Sequence, residues 1–264
     1  MSLVFAGIVP HPPLLIPEIG KDKVQQLAKT KAAFEQLEQD LYIAKPQVVV
    51  IISPHTGRFE EAFTINAHTH FFANYEEFGE FSVKKEWKGI PDIGARIAQH
   101  AVEKDGFPVR LISEEKLDHG VSIPLHFLCS HLDGVKIVPV GYSALDAKMH
   151  LSFGELLKHV IFDTDKRVAV IASGDMSHCL AQGAPGGFHA NGKVFDDTLI
   201  ELLQTRNTVG ITQMDQTVIK DAQECSYRST LILLGMLRDM DYTFKNYSYE
   251  APFGVGYLVG NFVF

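Results

Sequence analysis

The chain has 264 residues, 46% of them hydrophobic and 21% charged, and its formal net charge is -8. This composition is typical of a globular protein with a sizeable core, and the acidic balance leaves no basic surface for nucleic acid or an anionic membrane. The three cysteines are too scattered for a disulfide framework, no apolar run approaches the length of a membrane span, and the first residues lack the basic start of a signal peptide. We therefore expect a single cytoplasmic domain over residues 1–264, with no nucleic-acid and no membrane partner.

Two apolar runs near the start each end at a histidine beside proline. Residues 3–9 lead into a Pro-His-Pro-Pro sequence that contains His11, and residues 48–52 lead into Ser-Pro-His, which contains His55. The amphipathic spacing of residues 21–41 predicts a helix that joins the two runs. Because such crossovers make the two strands parallel and are right-handed, we expect both histidines at the same edge of a sheet.

The rest of the chain alternates strand and helix patterns. Further strands are predicted at residues 63–68, 81–84, 109–112, 135–140, 167–172, 242–249 and 254–264. Further helices are predicted at residues 93–102, 122–131, 149–162, 192–204, 214–220 and 224–236. Residues 10–17 and 183–192, rich in proline or glycine, predict loops. The alternation predicts an α/β fold, a three-layer α/β/α sandwich around a mainly parallel, mixed central sheet.

Two further polar motifs carry histidines beside acidic residues. A third strand end, after residues 168–171, delivers Asp175 and His178, and a Leu-Asp-His-Gly sequence delivers His119 at the start of a predicted helix. An acidic neighbour can fix the tautomer of an imidazole and hold its pKa near neutrality, as acid–base catalysis requires. His178, His119 and Asp175 are therefore candidate catalytic residues. The alternatives are a helix cap for Asp175 and a turn residue for Asp118.

His11 and His55 are candidate metal ligands, because the prolines beside them restrict the backbone and a metal site needs pre-positioned ligands. Glu224, at the start of the last helical pattern, is the candidate third ligand, since two histidines and a carboxylate form the facial triad of non-haem Fe(II) enzymes. The alternatives are hydrogen-bonded strand-end histidines and, for Glu224, a carboxylate that stabilises the N-terminus of its helix. Cys225, directly after Glu224, is an alternative soft ligand. The sequence has no dinucleotide-binding, Walker, nucleophile-elbow or zincin motif.

The four histidine motifs, in this order, resemble the LigB-like superfamily of class III extradiol ring-cleavage dioxygenases. The resemblance extends through residues 224–229 and 252–257, which look closest to the Memo-related branch associated with the AmmeMemoRadiSam system. It covers nearly the whole chain, and four ordered motifs make it specific for the superfamily. They are less specific for one activity.

The resemblance implies a role for each of these residues. His11, His55 and Glu224 would hold Fe(II), which binds O2 and both hydroxyls of a catechol. His178 would be the acid–base histidine, and His119 would line the substrate pocket. The resemblance also implies a small aromatic substrate and a homodimer.

The sequence departs from the ring-cleaving pattern at the third ligand, where Memo relatives have a cysteine and this chain has both Glu224 and Cys225. Successive helical residues point about 100° apart, so only one of the two side chains is expected to face the histidines. If Glu224 does, we expect an Fe(II)-dependent extradiol dioxygenase that cleaves a small catechol or aminophenol. If Cys225 does, the alternative is a Memo-like protein with copper or zinc and a redox or biosynthetic activity that works with AmmeMemoRadiSam partner proteins.

Overall fold

The computed structural model of the protein describes residues 2–104 and 106–264. The strands are β1 (Leu3–Val9), β2 (Val48–Ser53), β3 (Phe63–Asn66), β4 (His70–Tyr75), β5 (Glu80–Gly89), β6 (Val109–Ile112), β7 (Lys136–Gly141), β8 (Val168–Ser173), β9 (Thr243–Glu250) and β10 (Tyr257–Val263). The α-helices are α1 (Pro17–Gly20), α2 (Ala28–Ala44), α3 (Pro91–Glu103), α4 (His119–Leu128), α5 (Ala147–Phe162), α6 (Ala190–Gln204), α7 (Thr208–Thr212), α8 (Gln216–Ala222) and α9 (Tyr227–Met236). Short 3-10 helices occupy Pro13–Leu15, Lys21–Leu27 and Glu76–Phe78.

The strands form one sheet in the order β4-β5-β7-β2-β8-β1-β10-β9, with β3 paired to β7 and to β6. The four central strands β7, β2, β8 and β1 are mutually parallel. The antiparallel strands β10 and β9 extend the sheet beyond β1, and the β4–β5 hairpin joins the other side through a parallel pairing with β7. The predicted α/β fold with a mainly parallel, mixed sheet is confirmed.

Alternate residues of the central strands enter two separate hydrophobic cores. In β2, Val48, Val50 and Ile52 pack on the side covered by α3, α5, α6 and α9. Val49 and Ile51 pack on the opposite side, which α2 and α4 cover. Because both faces are buried, these strands are continuous apolar runs rather than alternating patterns. None of the helices in the described ranges is long and apolar enough to cross a membrane.

Some helix boundaries differ from the predicted ones for local reasons. Helix α4 begins at His119 rather than at residue 122, because the Asp118 carboxylate accepts the Val121 N–H at 3.0 Å and caps the first turn. The loop predicted over residues 10–17 contains a 3-10 turn and the first residue of α1. Proline is tolerated in a first helical turn, where its missing N–H has no intrahelical partner to lose.

The parallel strands place polar residues together at one edge of the sheet. The carboxyl ends of β7, β2, β8 and β1 all meet there, and ligands of open α/β sheets bind at that edge. The segments that follow these strands carry Tyr142 after β7, His55 after β2, Asp175 after β8 and His11 after β1. The topology therefore defines where a functional site can be built.

The buried carboxyl group of Asp196 links the segment after β8 to the edge strand β9 through hydrogen bonds. Asp196, on α6, accepts the Ser177 N–H at 2.8 Å and the Tyr249 hydroxyl at 2.6 Å. Burial raises the pKa of Asp196 from its ordinary value of 3.8 to about 6. The folded state therefore favours the protonated carboxyl group more strongly than the unfolded state does.

We expect the substitution Asp196→Asn to remove a pH-dependent part of the stability. The stabilising contribution of Asp196 to the free energy of unfolding is fully present below pH 3.8. It is lost as the pH rises through 6, because ionising the buried carboxyl group costs roughly 3 kcal/mol. The amide stays neutral, so the variant should gain stability relative to the wild type between pH 4 and pH 7. Chemical denaturation across this range measures the difference. The control is Asp197→Asn, an exposed neighbour with the same charge change, and identical pH profiles for the two variants would contradict the expectation.

Candidate metal centre

His11 is held rigidly at the end of β1. Its backbone N–H donates to Asp175 Oδ1 at 2.8 Å, and its Nδ1 lies 2.8 Å from the Ser173 hydroxyl. Burial, followed by the nearby His119 and His178, lowers the pKa of His11 well below its usual value. His11 is therefore neutral. With Nδ1 hydrogen-bonded to the hydroxyl, its Nε2 is available as a ligand atom.

His55 faces His11 across the edge of the sheet. The two Nε2 atoms are 3.2 Å apart, and the Arg58 Nη2 group donates to His55 Nδ1 at 2.7 Å. Burial, with a further contribution from His11, lowers the pKa of His55 to about 2. Two neutral imidazoles therefore face each other, as metal ligation requires.

His119 completes a group of three histidines. Its ring centroid lies 4.2 Å from that of His55 and 5.3 Å from that of His11. The ligand atoms of the three imidazoles all lie within 4.8 Å of one another, close enough to hold a metal ion. Glu77 Oε1 lies 3.8 Å from His119 Nδ1. His119 therefore lies beside the two candidate metal ligands and also lines the cleft that opens next to them.

Asp118 joins the segment that carries His55 to the helix that carries His119. Its Oδ1 accepts the Ser53 hydroxyl at 2.7 Å in addition to the helix-capping N–H, and its Oδ2 accepts the Thr56 hydroxyl at 2.6 Å. Both hydroxyl-bearing residues are buried. Asp118 is therefore a helix cap that also sets the spacing of two histidines.

The structure distinguishes the two candidates for the third ligand by their contacts. Cys225 Sγ lies 3.7 Å from His11 Nε2 and accepts the backbone N–H of Asp175 at 3.1 Å. The Glu224 carboxylate instead accepts the Tyr227 N–H at 2.5 Å at the start of α9, which is the helix-terminus alternative considered for it. Burial raises the pKa of Glu224 to about 7 and the pKa of the Cys225 thiol well above its usual value. The thiol, rather than the carboxylate, is thus the group beside the histidines.

The distances from His11 Nε2 to His55 Nε2 and to Cys225 Sγ match those between ligands of one tetrahedral metal ion. Two imidazole nitrogens bound to such an ion at about 2.0–2.1 Å lie roughly 3.3 Å apart, and a thiolate at about 2.3 Å lies roughly 3.6 Å from each nitrogen. The observed distances are 3.2 Å between the nitrogens and 3.7 Å from the sulfur to His11. A metal would also favour the thiolate, which burial and the nearby Asp175 and Glu224 disfavour by raising the pKa of Cys225.

His178 has the tautomer of a proton acceptor. Its Nδ1 lies 2.5 Å from the Gln223 carbonyl, which can only accept a hydrogen bond, so Nδ1 carries the proton. Its Nε2, left with a lone pair, lies 3.9 Å from Asp175 Oδ2. Burial raises the pKa of Asp175, while the neighbouring His178 lowers it. A proton taken up at Nε2 would be stabilised by the Asp175 carboxylate.

Two further residues at this site escaped the sequence analysis. Tyr142 follows β7 at the same edge of the sheet, and burial, followed by Glu224 and Cys225, raises the pKa of its hydroxyl. Tyr142 follows a predicted buried strand, as His11 does, so its place at this edge of the sheet could have been predicted from the sequence. Arg58 follows the Ser-Pro-His motif by three residues, and nothing in that spacing indicates that its side chain turns back to His55.

A cleft of about 710 Å³ opens beside the histidines. His55 and His119 form part of its wall, and the remaining lining is polar and of mixed charge. The charged side chains of the lining are Arg58, Glu77, Glu114, Glu115, Lys116 and Asp118. A small polar molecule can therefore reach the imidazoles from solvent.

The fold and the site together define an α/β/α protein with a group of three histidines, close enough to hold a metal ion, at the carboxyl edge of its parallel strands. Residues 6–260 match the family described as the catalytic LigB subunit of aromatic ring-opening dioxygenase. The chain belongs to this family.

The relatives connect the chain to two kinds of protein. It is 28% identical over 267 residues to Protein CA_C1420 of Clostridium acetobutylicum, across 98% of this chain and 57% of that one. It is 25% identical over 182 residues to a 2,3-dihydroxyphenylpropionate/2,3-dihydroxicinnamic acid 1,2-dioxygenase of Photorhabdus laumondii, across 64% and 54% of the two chains. A MEMO1 family protein of Methanosarcina mazei is 27% identical over 169 residues, across 56% and 59%.

The chain thus spans between half and three fifths of the length of these relatives. Among solved structures, an uncharacterized protein, JW3007 of Escherichia coli K12, superposes with a TM-score of 0.66 over 99% of this chain and 100% of that one. Its sequence identity is 16%, so this likeness concerns the fold.

We expect Asp118→Ala to destabilise the protein more than an ordinary cap substitution does. The variant loses a helix cap and leaves the buried Ser53 and Thr56 hydroxyls without their acceptor, a loss of about 2–4 kcal/mol in the free energy of unfolding. The control is Asp146→Ala, which removes from α5 a cap with a single acceptor contact, to the Met149 N–H, and should cost about 1 kcal/mol. Equal losses in urea denaturation would contradict the role of Asp118.

Proposed function

We propose that this protein is a metal-dependent oxidoreductase that uses O2 on a small aromatic diol or aminophenol, with a metal held by His11, His55 and Cys225. The observation that carries the proposal is the position of His11 Nε2, which lies 3.2 Å from His55 Nε2 and 3.7 Å from Cys225 Sγ, together with the proton-accepting Nε2 of His178. The LigB family and the dioxygenase names of distant relatives support the reaction class. A thiolate ligand favours copper or zinc over Fe(II). Of these two metals, copper is the one that fits a reaction with O2, because zinc has no redox chemistry.

Each group has a distinct part in this proposal. A bound metal acts as a Lewis acid and makes the hydroxyl of a phenolic substrate easier to deprotonate. His178 Nε2 accepts that proton while its Nδ1–H stays on the Gln223 carbonyl. Asp175 stabilises the resulting imidazolium, and His119 lines the entrance through which the ring of the substrate would enter.

A second candidate is Fe(II)-dependent extradiol ring cleavage, with Glu224 in place of Cys225. It is favoured by the position of Glu224, a partly buried residue next to Cys225 in the chain, and by the relatives named 2,3-dihydroxyphenylpropionate dioxygenases. It requires the Glu224 carboxylate to leave the Tyr227 N–H that it now accepts. The Memo-family relative instead supports the cysteine centre, together with partner proteins of the AmmeMemoRadiSam system.

We expect Cys225→Ala to weaken metal binding strongly and Glu224→Gln to leave it nearly unchanged. Removing a ligand from a three-residue set should lower the affinity at least 10- to 100-fold, the loss typical even of outer-shell changes. The glutamine can still accept the Tyr227 N–H and so preserves the start of α9. Metal content by mass spectrometry after dialysis against a chelator, with copper, zinc and iron offered separately, measures the difference. Metal loss confined to the Glu224 variant would move the assignment to the iron centre.

We expect His178→Ala to abolish turnover without loss of metal. A missing general base lowers rates by about 10²–10⁴, whereas the three metal ligands remain in place. Oxygen uptake with a panel of catechols and aminophenols, combined with metal analysis, tests both parts. His131→Ala, which removes an exposed histidine in the turn after α4, is the control and should be fully active. Absence of oxygen uptake by the metal-loaded wild type across the panel would contradict the proposed function.

A further inference from the structure

Arg58, in the lining of the cleft, donates a hydrogen bond to the imidazole of His55. Its Nη2 group donates to His55 Nδ1 at 2.7 Å, and its Nε–H donates to the Pro54 carbonyl at 3.2 Å. The Nη1 group has no hydrogen bond to the residues that the structure describes. Arg58 is exposed and lines the cleft, so a molecule bound there can reach its guanidinium group.

Arg58 is not paired with an acidic side chain although acidic side chains surround the cleft. Glu77, Glu114 and Glu115 line the same space, yet within the described ranges none forms an ion pair with Arg58. An unpaired arginine presents a planar fork that matches a carboxylate in two parallel hydrogen bonds. The glutamates disfavour anions in the cleft, so an anion needs a direct contact with a cation of the lining. The cations of the lining are Arg58 and Lys116, and of these Arg58 contacts His55.

The contact between Arg58 and His55 is incompatible with metal ligation by His55. An imidazole that binds a metal through Nε2 carries its proton on Nδ1 and needs an acceptor there. Arg58 has only donors, so two N–H groups would then face each other. A metal on His55 therefore releases Nη2 from its present partner, and the guanidinium group becomes available one imidazole ring away from the metal position.

We propose that Arg58 is a specificity-determining residue that binds a carboxylate group of the substrate in the metal-loaded protein. This proposal rests on the proposed function for the identity of the site and adds that the aromatic substrate is an acid. The ring would lie over the histidines with its reacting hydroxyl at the metal, and its carboxylate would lie against Arg58. An arginine at this distance from the ring would bind aromatic acids more tightly than neutral aromatic molecules of the same shape.

The test compares benzoate with benzamide, which have the same shape and differ in charge, on the Zn²⁺-loaded protein. Isothermal titration calorimetry at fixed ionic strength should show a wild-type preference for benzoate of about 10-fold or more. Arg58→Gln should weaken benzoate binding about 10- to 100-fold and change benzamide binding less than twofold. Arg110→Gln is the matched control, since Arg110 is an exposed arginine over Phe59 and outside the cleft lining.

The same variants separate the possible results. Equal benzoate affinity in the wild type and Arg58→Gln, or a wild type that does not prefer benzoate, overturns the proposal. Loss of Zn²⁺ from Arg58→Gln also overturns it, because Arg58 would then support His55 rather than bind substrate. Retained selectivity for benzoate without oxygen uptake on any catechol supports the anchoring role of Arg58 while contradicting the proposed function.

Discussion

The site depends on the buried residue Asp175, which ties three separate segments of the chain together. Its Oδ1 accepts the backbone N–H of His11 after β1, and its own backbone exchanges hydrogen bonds with Cys225 before α9. Its Oδ2 faces His178. A carboxylate in this position is costly to bury, and burial raises its pKa. The contacts that offset this cost are the same contacts that set the distances between the candidate ligands.

This arrangement explains why the thiol and not the neighbouring carboxylate lies at the histidines. The Cys225 N–H donates to the Asp175 carbonyl, and the Asp175 N–H points at the Cys225 sulfur. The chain is thereby held in an irregular conformation just before α9, and Glu224 lies where its carboxylate can accept the Tyr227 N–H. The start of the helix and the position of the thiol beside His11 are therefore consequences of one local structure.

The sequence predicted the parts of the site that follow from topology. Apolar runs identify the parallel strands, and strand ends bring His11, His55 and Asp175 to one edge whatever the details of the loops. The choice between Glu224 and Cys225 could not be made in this way, because residues 224–226 precede the helix and the 100° rule for successive helical residues does not apply to them. The position of the Arg58 side chain could not be predicted either, because it is set by two local hydrogen bonds, to the Pro54 carbonyl and to His55.

His11, His55 and His178 all follow strand ends, but the group hydrogen-bonded to Nδ1 differs among them and gives each imidazole a different chemistry. A serine hydroxyl at His11 permits either tautomer and so allows metal ligation without strain. A carbonyl at His178 fixes the proton on Nδ1 and leaves Nε2 as a base. An arginine at His55 is a donor that metal ligation must displace. Because each partner lies outside the group of histidines, substitutions at Ser173 or Arg58 would change the hydrogen bonding of an imidazole without removing a candidate ligand atom.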